Sequence, residues 1–286
     1  MDAAGSGDAR ASSGAIVNAL TVDLEDWYHG IELPQGRWRE CEDRLVPATE
    51  RLLEILDAGG ARATFFVLGD VALRFPSLIK RIDQAGHEIG THGCSHRFVY
   101  DQEPDAFRDD IQRSVELLRD CGCDEVIGHR APYFSITRES LWALPVLAEL
   151  GIRYDSSIFP ISNYRYGIPE AERWPHRVDF NGHSLIEFPI SIWPVAGRKV
   201  PVAGGAYFRI LPYAMTRRGI AAINRSGKPA VFYIHPWELD PDHPRIPLPR
   251  RIAVTHYANL RSTARRLRRL LADFSFAPMR EVIDVG

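Results

Sequence analysis

The chain has 286 residues, of which 45% are hydrophobic and 25% charged, a composition typical of a folded globular protein with a sizeable core. Its formal net charge of −2 argues against the broadly basic surface of a nucleic-acid-binding protein. Residues 1–14 are rich in Ala, Gly and Ser, so we expect a disordered N-terminal tail followed by a single domain over residues 15–280.

Apolar runs alternate with amphipathic segments along the chain. Strands are predicted at residues 15–22, 63–68, 87–91, 126–130, 152–155, 185–190 and 230–234. Helices are predicted at residues 47–58, about 70–85, 104–120 and 139–150, and several of them stop at a glycine. Repeated strand–helix units favour a parallel α/β sheet, and a chain of this length favours a barrel over an open sheet. No Gly-x-Gly-x-x-Gly follows a strand, which disfavours a dinucleotide-binding fold.

The polar residues share one predicted location, at or just beyond the C-terminal ends of strands. They are Asp23, Glu25, Asp26, His92, His96, Arg130, Asp155 and His235. In a barrel of alternating strands and helices, that end is the catalytic face. The clustering therefore predicts one functional site.

A pair of histidines, His92 and His96, is the most informative part of that cluster. At a spacing of four residues, we expect both imidazoles on one face of a helical turn. With one carboxylate from the acidic segment Asp23–Asp26, they predict a divalent-metal site with open coordination positions. Cys94 lies between the histidines, and a small buried residue is favoured there over a third ligand.

One strongly basic segment, Arg261–Arg269, has amphipathic helical spacing. We expect a solvated helix face on the outside of the barrel. The alternative is contact with an anionic membrane or polymer.

Several motifs together resemble the polysaccharide deacetylase family with a NodB-homology domain, over about residues 19–275. The motifs are Thr21–Tyr28, His92–His96, Arg130–Tyr133, Tyr154–Ser157 and Ile234–Glu238, in the order that the family has. The nearest resemblance is to the subgroup found with exopolysaccharide and exosortase loci. The family resemblance implies a distorted (β/α) barrel of about seven strands. It also implies metal-dependent removal of acetyl groups from an amino sugar or a polysaccharide precursor. N-acetyl groups are favoured over O-acetyl groups as the substrate.

The first motif departs from the adjacent aspartates common in this family. Asp-Leu-Glu-Asp leaves three assignments open. Asp23 is the preferred base, with either Glu25 or Asp26 as the metal ligand, and the third assignment makes Glu25 the base and Asp26 the ligand.

The resemblance also implies roles for the other motif residues. His92 and His96 hold one divalent metal, with zinc as the first choice and nickel, cobalt or iron as alternatives. His235 is expected to protonate the leaving nitrogen, while Arg130 tunes Asp23. Asp155 is expected to orient His235 or Arg130.

Two aromatic residues are assigned to the substrate. The backbone N–H of Tyr133 is a candidate oxyanion donor. Trp237 is expected to contact the sugar ring, because sugars present apolar C–H faces to aromatic rings. Gly204–Arg209 resembles a mobile loop beside the site.

The motifs also bear on three other functions. A metalloprotease is disfavoured because Gly93 stands where the zinc-protease helix needs Glu. An allantoinase-like amidohydrolase acting on a small ring amide and a non-catalytic glycan-binding barrel stay open.

The expected partner is an acetylated saccharide, with no nucleic acid. We see no secretory signal, no bilayer-spanning run and no cysteine framework, and therefore expect a reduced cytoplasmic protein. Peripheral contact with a lipid-linked substrate is compatible with that location.

Overall fold

The computed structural model describes residues 16–31 and 33–283, so the tail expected over residues 1–14 lies outside the described residues. The strands are β1 (Val17–Leu24), β2 (Thr64–Val67), β3 (Glu88–Thr91), β4 (Gly128–His129), β5 (Tyr154–Asp155), β6 (His176–Phe180), β7 (His183–Glu187), β8 (Ile192–Val195), β9 (Arg198–Pro201), β10 (Val231–Ile234) and β11 (Ser275–Ala277). The helices are α1 (Leu45–Ala58), α2 (Gly69–Arg74), α3 (Pro76–Gln84), α4 (Pro104–Asp120), α5 (Ala143–Glu149), α6 (Gly205–Ile210), α7 (Tyr213–Arg225), α8 (Arg250–Tyr257), α9 (Leu260–Asp273) and α10 (Met279–Val282).

Parallel pairing dominates the sheet, as the alternation of strands and helices predicted. The strands lie in the order β10, β1, β2, β3, β4, β5, β7 and β6, and β11 pairs with the start of β1. Every pair is parallel except β6 with β7. The expected mainly parallel α/β barrel of about seven strands is confirmed, since seven parallel strands run from β10 to β7.

The barrel is distorted on the side between β7 and β10. No ladder within the described part of the chain joins the two ends of the sheet. Instead, the segments that flank the β8–β9 hairpin fill the gap through single hydrogen bonds. Ile190 N donates to Ile158 O at 2.9 Å, and Tyr233 N donates to Ala203 O at 2.6 Å. A loop therefore replaces a regular strand in the wall beside the site.

The core forms where helices cover the strands. Every residue of β2 and β10 is buried, as expected for parallel strands that are covered on both faces. The outer helices contribute apolar stripes, such as Leu52, Ile55 and Leu56 of α1. These contacts hold the strand ends at fixed positions.

Several predicted boundaries were wrong. The helix expected at residues 70–85 is two helices, because Pro76 has no N–H to donate and disfavours helical geometry at Phe75, where φ is −130°. The strand expected at 126–130 is only Gly128–His129, and the helix expected at 139–150 begins at Ala143. The segment expected as a mobile loop, Gly204–Arg209, mostly forms α6.

The basic segment lies on α9, at the outside of the barrel. Leu260, Leu267 and Leu270 are buried, and Arg266 donates to the backbone oxygens of three residues around α6. This packing supports the solvated helix face. Within the described residues, no helix is both long and apolar enough to cross a membrane. All four cysteines are free thiols.

A close approach between β4 and β5 gives a direct test of the barrel packing. A Cβ added at Gly128 would lie 2.2 Å from the ring of Tyr154. That ring is buried, and its hydroxyl donates to Glu88 Oε1 at 2.8 Å. We expect Gly128→Ala to lower the free energy of unfolding by about 1–3 kcal/mol or more.

Gly36→Ala is the matched control, because nothing lies within 4 Å of its added Cβ. Its effect should stay within about 0.5 kcal/mol. Urea unfolding measures both variants, and equal midpoints would contradict the packing described here.

Candidate active site

The predicted polar residues gather at the C-terminal ends of neighbouring parallel strands. Asp23 is the second-to-last residue of β1, and Glu25 follows that strand directly. His92 follows β3, Arg130 follows β4 and His235 follows β10. Because parallel strands end at the same edge, these side chains meet although they are far apart in sequence.

A short backbone turn brings two carboxylates into the site. Glu25 N donates to Asp23 O at 2.9 Å, so the chain folds back as β1 ends. Both side chains line one pocket and are buried. The acidic segment therefore supplies Asp23 and Glu25 together.

Glu25, His92 and His96 form a candidate metal site. His92 Nε2 and His96 Nε2 lie 3.0 Å and 2.9 Å from Glu25 Oε1. Among the described residues, these three form the one cluster of His, Cys, Asp and Glu atoms close enough to share an ion. Cys94 is not part of it.

The protonation of His92 supports a cation at this point. His92 Nδ1 lies 2.6 Å from Arg130 O, and since a carbonyl oxygen only accepts, Nδ1 carries the proton. In the neutral ring, Nε2 then presents a lone pair to the carboxylate of Glu25. A cation between these atoms relieves the repulsion, and a hydrogen-bonded Nδ1 is usual for metal-binding histidine.

Glu25 is ionised in this environment. Burial alone would raise its pKa, but the charges of His96 and His235 hold the pKa of Glu25 well below its usual range. A metal ligand needs this deprotonated form.

The two histidines do not lie on a helical turn, so that expectation was wrong. His92 and His96 lie on a loop, with φ of +72° at Gly93 and +52° at His96. Asp110 of α4 fixes this loop, since its carboxylate accepts from Cys94 N at 2.7 Å and from Ser95 Oγ at 2.6 Å. Left-handed backbone, rather than helix periodicity, makes the imidazoles converge.

Asp26 does not join the metal cluster, which corrects the two open assignments that made it the ligand. Its Oδ2 accepts from Arg44 N at 2.7 Å and Leu45 N at 2.9 Å, at the start of α1. Its Oδ1 accepts from Trp27 N. The side chain thus binds backbone N–H groups that open a helix, as a capping carboxylate does.

Asp23 lies between Arg130 and His235. Arg130 Nη1 donates to Asp23 Oδ1 at 2.7 Å, and His235 Nε2 lies 3.8 Å from Asp23 Oδ2. Arg130 is fully buried and also donates to Ser156 O and Thr21 Oγ1. The expected contact of Arg130 with Asp23 is therefore present.

Glu238, and not Asp155, holds His235. Glu238 Oε1 accepts from His235 Nδ1 at 2.8 Å and from His235 N at 3.0 Å, while Arg209 Nε donates to Glu238 Oε2 at 2.5 Å. Asp155 instead contacts His129 Nδ1 at 2.6 Å and Ser157 Oγ at 2.7 Å. The expectation that Asp155 orients His235 or Arg130 was wrong.

Sequence reasoning missed Glu238 although a signal was present. A carboxylate three residues after His235, at the start of the 3-10 helix Pro236–Leu239, has the spacing of a capping box. Burial alone would lower the pKa of His235, but Glu25, Glu238 and Asp23 outweigh it and raise this pKa to about 9. These carboxylates therefore favour the protonated form of His235.

The two predicted substrate residues both lie in the pocket wall. The ring of Tyr133 packs 4.5 Å from that of His96, and its hydroxyl donates to His29 O at 2.7 Å. The ring of Trp237 stacks at 5.4 Å on that of His235. The lining residues are Asp23, Glu25, Gly30, Tyr133, Phe134, Arg165, Tyr166, Gly205, Ala206, Arg209, Tyr233, His235, Trp237, Thr255 and His256.

A larger cleft lies at the opposite end of the strands. Arg153, His176 and Lys228 are among the residues that line it, and its lining includes none of the predicted site residues. The smaller pocket is therefore the candidate active site.

Comparison with known families divides the chain into two parts. Residues 41–154 match the family described as polysaccharide deacetylase. Residues 156–284 match a domain of unknown function, DUF3473. The resemblance to the deacetylase family is confirmed, whereas the narrower exopolysaccharide subgroup stays a prediction.

Curated relatives of the deacetylase part align over short stretches. A peptidoglycan-N-acetylglucosamine deacetylase of Bacillus cereus is 35% identical over 96 residues, which are 33% of this chain and 35% of that protein. Chitin deacetylase 1 of Saccharomyces cerevisiae is 35% identical over 115 residues, 40% of this chain and 36% of that protein. The aligned stretches thus span about a third of these relatives.

A solved structure extends the likeness to nearly the whole fold. A putative polysaccharide deacetylase from Mycobacterium smegmatis superimposes with a TM-score of 0.64 at 22% identity, covering 94% of this chain and 88% of that one. At this identity, the likeness establishes the barrel fold.

The different roles of Glu25 and Asp26 lead to opposite expected effects. Glu25→Gln removes a charged ligand and should abolish stoichiometric metal binding while leaving the folded barrel. Asp26→Ala should retain the metal but lower the free energy of unfolding by about 0.5–2 kcal/mol, because the start of α1 loses its acceptor. Elemental analysis of dialysed protein and urea unfolding measure the two effects. Loss of metal from Asp26→Ala alone would reverse the assignment.

Proposed function

We propose that this protein is a metal-dependent hydrolase that removes acetyl groups, N-acetyl in the first place, from an amino sugar of a polysaccharide or its precursor. The observation that carries the proposal is the convergence of His92 Nε2 and His96 Nε2 on Glu25 Oε1. Asp23 and His235 lie in the same pocket. The deacetylase match over residues 41–154 supports this reaction over the ring-amide alternative.

The ligand set suits zinc first. Two imidazoles and one carboxylate with room for further ligands fit zinc, and nickel, cobalt or iron bind similar sets. When bound, such a cation lowers the pKa of water and polarises an acyl carbonyl.

Asp23 is proposed as the general base. Its carboxylate faces the pocket beside Glu25, and Arg130 holds its Oδ1 at 2.7 Å. This ion pair fixes the orientation of Asp23 and leaves Oδ2 to accept the proton of the attacking water. Arg130 therefore acts as a positioning residue.

His235 is proposed as the general acid. It faces the pocket, and its raised pKa leaves a proton on Nε2 for the leaving nitrogen. Glu238 accepts from Nδ1 and so directs Nε2 towards Asp23. A protonated acid beside an ionised base is the combination that hydrolysis of an acetamide needs. A barrel that only binds glycan has no need of this pair.

Loss of Asp23 tests the catalytic assignment. Asp23→Asn keeps the size of the side chain but cannot take a proton, so we expect it to retain metal and to lose kcat by at least about 10²-fold. The assay is acetate release from N-acetylated chito-oligosaccharides, before and after chelation and after zinc is restored. Asp57→Asn, an exposed carboxylate on α1, is the matched control.

Retained turnover in Asp23→Asn would overturn the base assignment. Metal-replete wild-type protein that releases no acetate from amide or ester substrates would overturn the hydrolytic function itself.

Glu238 and Asp155 give a second test. The sequence predicted that Asp155 orients His235 or Arg130, whereas in the structure Glu238 contacts His235 Nδ1. Glu238→Gln should lower kcat by about 10- to 100-fold, with a smaller effect on KM, because the partner of His235 Nδ1 loses its charge. Asp155→Asn should lower the unfolding midpoint instead, since Asp155 binds buried His129. Steady-state kinetics and thermal unfolding separate the two, and the reverse pattern would contradict the geometry.

A further inference from the structure

Three polar atoms of two residues that line the pocket have no hydrogen-bond partner within the described residues. They are Nε1 of Trp237 and both ring nitrogens of His256. The two residues are 4% and 2% exposed. Buried polar atoms are almost always paired, because an unpaired one loses its hydrogen bonds to water without replacement. Such atoms beside an active site point to a ligand that supplies the missing partners.

The residues that carry these atoms lie close to His235, the proposed general acid. Trp237 stacks on His235 at 5.4 Å and on His256 at 4.2 Å, with ring planes inclined by 27° and 25°. All three residues line the pocket that holds Asp23. A group bound by Trp237 and His256 therefore lies beside the proposed reaction centre.

A missing side chain at Gly30 leaves space next to the indole. Gly30 lines the same pocket, and a Cβ placed on it would press against the edge of the indole, 3.3 Å from Cζ2 and 3.6 Å from Nε1 of Trp237. The pocket has a volume of about 150 Å³. One water molecule takes about 30 Å³ of the liquid, so the space admits a small polar group.

Arg209 holds this wall in place. Its guanidinium donates to the backbone oxygens of Thr255, His256 and Ala258 and lies 5.2 Å from the Trp237 ring. The same side chain donates to Glu238, which holds His235. One buried arginine thus sets the position of His256 relative to the acid.

The donor and acceptor pattern selects the ligand. The indole N–H only donates. Burial, followed by the charges of His243 and Arg209, lowers the pKa of His256 to about 2, so its ring is neutral and offers one donor and one acceptor. One hydroxyl group can accept from the indole N–H and donate to the unprotonated imidazole nitrogen. A cation is excluded by the indole donor, and an anion would leave the imidazole acceptor without a partner.

We propose that Trp237 Nε1 and the His256 imidazole form a subsite that binds a hydroxyl group of the sugar ring carrying the acetyl group, an inference that rests on the proposed deacetylase function. Both residues lie in the part of the chain that matches a domain of unknown function, residues 156–284. The subsite therefore gives that part a role in selecting the substrate.

The test compares two acetylated substrates in three variants. Trp237→Phe and His256→Phe keep an aromatic ring but remove the polar atoms, and Gly30→Ala fills the space beside Nε1. Tetra-N-acetylchitotetraose presents sugar hydroxyls, whereas 4-nitrophenyl acetate has none. We expect each variant to lower kcat/KM for the oligosaccharide by about tenfold more than for the aryl ester, mainly through KM.

Two controls accompany the kinetics. Trp174→Phe makes the same change outside the pocket. Any change in kcat/KM that it causes should be equal for the two substrates. His256→Phe should not lower the melting temperature, because no hydrogen bond within the protein is lost.

A crystal structure of the Asp23→Asn variant with the oligosaccharide gives a direct reading. A sugar hydroxyl oxygen within about 3.2 Å of Trp237 Nε1 supports the subsite. An acetyl methyl group in that place overturns it, as do equal losses on both substrates or no loss on either. Wild-type protein that releases no acetate from either substrate overturns the proposed function, and the subsite with it.

Discussion

Two imidazole nitrogens and a carboxylate oxygen meet within hydrogen-bond distance at the end of the barrel, and the rest of the site is arranged around them. His92 Nδ1 is committed to Arg130 O, so His92 Nε2 needs a positive partner between itself and Glu25. Arg130 serves both halves of the site, since its backbone oxygen fixes the tautomer of His92 and its guanidinium holds Asp23. The candidate metal ligands and the proposed base are therefore linked through one residue.

The sequence was sufficient to predict the fold and to place most of the site residues at strand ends. Alternating apolar runs and amphipathic segments predicted a mainly parallel barrel, because such strands need helices on both faces. Asp23, His92, Arg130 and His235 were each placed at a strand end, and parallel strands end at one edge. The family match begins at residue 41, so the position of Asp23 rested on its motif and on this topological argument.

The choice among nearby carboxylates could not be made from the sequence. Glu25 and Asp26 are adjacent. The turn closed by the hydrogen bond from Glu25 N to Asp23 O directs the Glu25 side chain into the pocket and the Asp26 side chain to the start of α1. Asp155 follows its motif as expected, yet His129, its neighbour across the β4–β5 ladder, binds it. Such choices depend on backbone angles and on cross-strand register, which spacing along the chain does not encode.

The two residues that exchange protons in the proposed reaction come from strands near opposite ends of the chain. β1 and β10 are neighbours, and Val22 pairs with Ile234 just before Asp23 and His235. Glu25, His92 and His96 all precede β10 by a wide interval. During synthesis the candidate metal ligands are therefore made well before the proposed proton donor, which arrives only with the late strand. Hydrolytic competence is thereby tied to completion of the barrel.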